Sequence, residues 1–205
     1  MLTNCDARME WVRPPALESE SLKSLHPDAL AVSDFALEAH VPGRYVAATT
    51  RDIVAFHWVG DAERSAIQLL EQLLDRQTAS RTKPASAIHV VHQRVGLPNG
   101  EVRGALISLL EAYARSMGCV GVALLGTGFW ASAMRSALTG IRMIVPMGAL
   151  PMRFAQGLDD LLPWFCSTHQ ERTGHALQPA SLQATLHQLR DLAEGPAPKQ
   201  LTRSG

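Results

Sequence analysis

Apolar residues recur along this chain with two periods, and the alternation between them sets the expected architecture. Residues 45–49 and 53–59 are β-rich runs around the polar turn Thr50-Arg51-Asp52, which predicts a hairpin. Asp61 then stands where a helix N-cap belongs. Ala66, Ile67, Leu70, Leu73 and Leu74 follow at helical spacing, with Glu63, Glu71 and Asp75 on the other side. The apolar run 85–93 predicts an interior strand. Asn99 is placed to cap a helix over 101–117, in which Leu106, Leu109, Leu110 and Tyr113 share a face and Gly118 serves as C-cap. A strand at 119–125 leads to a third helix from Phe129, whose period runs through Gly140 to Val145 as one helix until Pro146 stops it. A short strand at 152–155 and a short helix at 158–165 close the pattern. Strands alternating with long helices imply right-handed βαβ crossovers. The fold class is therefore α/β, a mostly parallel or mixed sheet of about five strands opened by a hairpin, in the order ββαβαβαβα.

The flanks have a different texture. Residues 1–41 carry Pro14-Pro15 and few bulky apolar groups, and read as a partly ordered extension with a short helix over 27–38. Residues 42–165 form the α/β domain, 166–178 a polar linker and 194–205 a disordered tail. Between those last two, residues 179–193 place Leu182, Leu186, Leu189 and Ala193 on one stripe. Something must cover that stripe: the chain's own domain, a second copy in a homodimer or a partner helix.

Composition narrows the function classes. Apolar residues make up 46% and charged residues 19%, a globular balance. Nineteen basic residues offset nineteen acidic ones for a net charge of +0, which supplies no basic surplus for nucleic acid or for an anionic membrane surface. No stretch approaches the ~20 apolar residues that span a bilayer. Cys5, Cys119 and Cys166 lie far apart with no CxxC pair, and the first residues lack the apolar core of a signal peptide. Together these features predict a cytoplasmic protein with reduced thiols.

Candidate chemistry is sparse. Gly126-Thr127-Gly128-Phe129-Trp130-Ala131 fits GxGxxA between a strand and a helix, but no acidic residue stands about twenty positions on, so a tight turn accounts for the glycines. His89 and His92 are three apart on a strand, which sends their rings to opposite faces, and His57 adds at most one neighbour, too few ligands for zinc. His169, His175 and His187 read as solvated or packing residues. No GxSxG, GxxxxGK[ST] or HExxH occurs, and Asp159-Asp160 suits the first turn of a helix. The expectation is a protein without cofactor, metal or catalytic constellation.

The order of elements, the run Ile53-Val54-Ala55-Phe56-His57-Trp58-Val59-Gly60, the run 134–140 leading to Met152-Arg153-Phe154, and Leu158-Asp159-Asp160-Leu161-Leu162-Pro163-Trp164 resemble a STAS domain, over residues 42–165. STAS domains include anti-sigma-factor antagonists and the cytoplasmic tails of sulfate transporters. The family carries a phosphorylatable Ser at the start of the helix after the strand here placed at 85–93. This chain has Pro98-Asn99-Gly100-Glu101-Val102 there, with no hydroxyl before Ser108. The resemblance implies a regulatory module that docks a protein partner without that phospho-switch, through loops 96–102 and 126–130, with Asn99, Gly100, Gly126, Thr127, Gly128 and Trp130 as contact residues. The alternative is an α/β domain that binds a small ligand, lipid or nucleotide, in a cleft between sheet and helices.

Overall fold

A computed structural model describes residues 35–79, 83–145 and 150–195. They form β1 (Ala36–Val41), β2 (Tyr45–Thr49), β3 (Ile53–Trp58), α1 (Arg64–Thr78), β4 (Ala85–His92), α2 (Gly100–Tyr113), β5 (Met117–Leu125), α3 (Gly128–Ile144), β6 (Met152–Gln156), α4 (Leu158–Thr173) and α5 (Pro179–Glu194). The six strands make one mixed sheet in the order of the chain. β1, β2 and β3 are antiparallel neighbours, and β3 to β6 run parallel. Each crossover steps one strand further the same way, so a common hand puts α1, α2 and α3 on one face. α4 lies on the opposite face against β4, β5 and β6, and α5 beside it against β1, β2 and β3. Strands covered on both sides need apolar residues throughout, which is why β3 reads Ile-Val-Ala-Phe-His-Trp with every residue buried.

The two faces pack differently. Toward α4 the sheet presents Cys119, Gly121, Ala123 and Ala155. A Cβ on Gly121 would lie 2.9 Å from Phe165 Cδ2 and 3.2 Å from Leu161 Cδ1, so α4 rests directly on the β5 backbone. Toward α1–α3 the sheet presents larger groups, among them Phe56, Trp58, Val122 and Phe154. α2 and α3 come less close to the strands than α4 does.

Several local expectations change. Ala36–Val41 is an antiparallel edge strand, although Ala36-Leu37-Glu38 has helical propensity; pairing with β2 outweighs it, and Glu38 there accepts from Thr49 Oγ1 at 2.5 Å and from Arg76 at 2.6 Å. The rest of the helix expected over 27–38, up to residue 34, lies outside the described residues, as do residues 1–26 and the tail from 196. The sheet gains a sixth strand in this way. α4 runs eight residues past Phe165 to Thr173, which leaves only 174–178 of the expected linker. Gly174, at φ 76°, ends the helix in the left-handed conformation that glycine adopts without strain. α2 stops at Tyr113, so Gly118 is a strand residue rather than a cap. Asp61 does not cap α1; its Oδ1 accepts from the Gly96 amide at 2.6 Å. The apolar stripe of α5 is buried on the chain's own sheet, so a homodimer through that stripe has no free surface to use.

Asn99 does cap α2, its Oδ1 accepting from the Val102 amide at 2.9 Å. Asn99→Ala should lower stability by about 1 kcal/mol and Asn99→Asp by much less. Urea midpoints of the two variants check this, and equal midpoints would remove the cap from the account.

Candidate functional site

Because α2 and α3 stand off from the sheet, a cavity of about 130 Å³ remains between them. Its floor is Ala87, His89 and Val91 of β4, Val120 and Val122 of β5, Met152 and Phe154 of β6, and Trp58. Leu70 and Leu74 of α1, Leu106 and Leu110 of α2, and Met134 and Leu138 of α3 roof it. The lining reaches the β4–α2 loop at exposed Gly96 and half-buried Pro98. An apolar cavity of about 150 Å³ accepts benzene, and this one, slightly smaller but continuing to the β4–α2 loop, suits a molecule of about that class.

His89 is the only titratable side chain in the described lining. Strand alternation aims it at α1–α3, whereas His92 faces α5, with Nε2 3.6 Å from Glu194. His89 Nδ1 accepts a hydrogen bond from Trp58 Nε1 at 3.3 Å, and its ring lies 5.9 Å from that of Phe56. Burial lowers its pKa to about 4, so the ring is neutral at pH 7. His57 lies on the opposite face under α5, in parallel register with Val90, so it does not join His89.

The loops at the carboxyl ends of the strands are tied to one another above this cavity. Asp61 holds Gly96, and Trp130 Nε1 donates to Val95 O at 2.8 Å. Gly126 sits against the Trp130 indole, where a Cβ would lie 2.5 Å from Cε3, so close packing accounts for this glycine. Gln156 Nε2 donates to the Gly126 carbonyl. Thr127 is the α3 N-cap residue without a side-chain bond to the helix, and Gly128 follows at φ 66°. The structure thus gathers Gly126, Thr127, Gly128 and Trp130 at the β5–α3 turn and the first turn of α3, while Asn99 and the exposed Gly100 begin α2. Phe129 (89% exposed), in the first turn of α3, and Leu97 (53% exposed), in the β4–α2 loop, project outward at this end.

A second cluster escaped the sequence reading. Ser86 Oγ lies 2.9 Å from Nδ1 of His169, whose Nε2 is 3.2 Å from Thr173 Oγ1 and 3.5 Å from Asp52 Oδ2. His175 Nδ1 also meets Asp52 Oδ2. Burial alone would raise the Asp52 pKa, but hydrogen bonds from His169 and His175 overcome it and hold the carboxyl at about 2. Ser, His and Asp have the composition of a nucleophile, base and orienting acid. Their surroundings do not fit that use: Ser86 and His169 are each 0% exposed, and a Cβ on Gly118 would lie 2.8 Å from Ser86 Oγ. Cys119 Sγ donates to the same oxygen at 3.4 Å. With no room beside Oγ for a reacting carbonyl, the cluster works as a staple joining the end of α4 to the starts of β3 and β4. His169 is therefore a buried helix residue, not a linker residue. Cys119 and Cys166 are buried free thiols; burial raises both pKa values, that of Cys119 to about 11, which keeps them protonated and unreactive.

Among the described residues no group of three or more His, Cys, Asp or Glu side chains is arranged to hold a metal ion, and no helix is long and apolar enough to cross a membrane. Compared with known protein families, with curated proteins and with solved structures, the chain matches none.

Proposed function

We propose that this chain binds a small apolar ligand between its sheet and the α1–α3 layer. The observation that carries the reading is the cavity itself: about 130 Å³ lined almost wholly by apolar side chains, in a fold whose other face is closely packed. Of the two ligands considered from sequence, the lining favours the lipid-like one, since it offers no cation for a phosphate. Ethylbenzene at ten times its dissociation constant should stabilise the protein by about 1.4 kcal/mol and raise Tm by about 4 °C. Val122→Phe, which fills the cavity, should abolish the rise. No shift for the unaltered chain, or an equal shift in the filled variant, removes the reading.

Exposed Phe129 and Leu97 support a second reading, the STAS-like regulatory module that docks a protein partner on loops 96–102 and 126–130. Phe129→Asp with Leu97→Asp would then abolish partner capture and leave the response to ethylbenzene intact. Capture that survives both changes takes those loops out of the account.

A further inference from the structure

The cavity is not uniformly apolar, and its one polar feature has a defined direction. An indole nitrogen only donates, so the Trp58 Nε1–H bond at 3.3 Å requires a lone pair on His89 Nδ1. A neutral imidazole carries a single ring proton, which therefore resides on Nε2. Among the described residues Nε2–H has no hydrogen-bond partner, and the His89 side chain, though deep in the fold, keeps part of its surface uncovered where it borders the cavity. A donor that opens onto an apolar cavity with no protein acceptor gains free energy from a bound oxygen.

We propose that His89 Nε2–H is the recognition donor of this cavity and that its ligand is an uncharged apolar molecule bearing one acceptor oxygen, such as a ketone or an ester carbonyl. This rests on the cavity being a ligand site, and it adds the polarity, charge and orientation of the ligand. A carboxylate is selected against on two grounds. The described lining holds no Lys or Arg to offset a buried negative charge. A doubly protonated His89 would turn Nδ1 into a donor facing the Trp58 donor and break that bond. A plain hydrocarbon fits the walls but leaves Nε2–H unmet. Phe56 and Trp58, stacked with centroids 4.9 Å apart, back the imidazole and fix its plane. The donor is thereby held in place before any ligand arrives.

The test uses the full chain and three probes of one size: ethylbenzene, acetophenone and benzoate, titrated calorimetrically into the unaltered protein and into His89→Leu. The hydrogen bond should appear as about a tenfold loss of acetophenone affinity in His89→Leu, with ethylbenzene changed by no more than about twofold. Benzoate should bind the unaltered chain more weakly than either neutral probe. If both neutral probes bind and lose affinity equally in the variant, His89 is not the recognition donor although the cavity reading stands. Tighter binding of benzoate than of acetophenone overturns the neutral ligand. Failure of both neutral probes to bind overturns the cavity reading and this inference together. Should His89→Leu not fold, the 15N shifts of His89 in the unaltered chain decide: a proton on Nε2 at pH 7 is expected, and a proton on Nδ1 or an imidazolium sinks the proposal.

Discussion

At pH 5 the fold is expected to be about 4 kcal/mol less stable than at pH 7, with His57 and His89 contributing equally. Each has its pKa lowered from 6.5 to about 4. For His57 burial is the main cause, reinforced by Arg190, His92 and His187 and opposed by Asp191. Both rings are neutral in the folded chain and protonate readily in the unfolded one. The unfolded state therefore takes up more protons below pH 6.5, and stability falls until the folded rings also protonate near pH 4. His57 adds a further cost, since neither ring nitrogen has a partner among the described residues. Replacing it with an apolar side chain removes that cost, so His57→Leu should gain about 1 kcal/mol at pH 7 and lose only half as much on acidification. Urea midpoints for both proteins at pH 7 and pH 5 measure this. A midpoint that does not move with pH in the unaltered chain would contradict the burial argument.

Asp52→Asn should be the more damaging change at neutral pH, lowering stability by about 3 kcal/mol. The carboxylate accepts from His175 and faces His169, which is sealed from solvent. With an amide in its place both imidazoles lose the negative charge they face at the junction of α4 with β3 and β4, while His169 keeps Ser86 and Thr173 as partners. The pH dependence identifies the cause. A carboxyl held at about 2 instead of 3.8 stabilises the fold above pH 4, and that contribution disappears as the pH falls toward 2. The window lies below that of the histidines, so the two effects separate in one series of measurements. Asp52→Asn should show no loss between pH 4 and pH 2 beyond what other carboxyls produce. A variant as stable as the unaltered chain at pH 7 would mean that Ser86, Thr173 and His175 hold the staple without the carboxylate.

The alternation of strands and helices from Tyr45 onward was readable because each element buries an apolar face, and periodicity reports burial. The elements that escaped are those where that link fails. β1 joins an edge through backbone hydrogen bonds, which leave little trace in Ala36-Leu37-Glu38-Ala39. In α4 the buried stripe Leu158, Leu161, Leu162, Phe165 and Cys166 continues as His169 and Thr173. Polar groups that satisfy one another inside a protein look like solvent-exposed ones in a sequence, so the apolar pattern predicts a helix that ends at Phe165. The signal that would have extended it was Gly174 just after Arg172 and Thr173, a helix stop with a cation in the last turn. Of the candidate contacts, Asn99 has the capping role read from its position, and the turn at Gly126 is tight as its glycines suggest. The cavity could not be read at all. It depends on how far α2 and α3 stand from the strands, which is set by the summed bulk of side chains from six elements. His89 was visible only as half of a weak metal pair, since nothing in the sequence places Trp58 beside it.

The unequal packing of the two faces bears on how a guest would enter. α4 sits on glycine and alanine positions and is fastened by the Ser86, His169 and Asp52 cluster, so that half of the molecule forms a stiff backing that fixes the strands in register. The α1–α3 layer is held by apolar side chains arranged around a space, and its side-chain bonds to the strands and their turns among the described residues, such as Gln77 to Thr50, Arg76 to Glu38 and Arg142 to Met152, are part-buried or exposed. Breathing motions should therefore concentrate on one side, with the helices lifting from a floor that does not bend. The imidazole on that floor would keep its aim while the door above it opens.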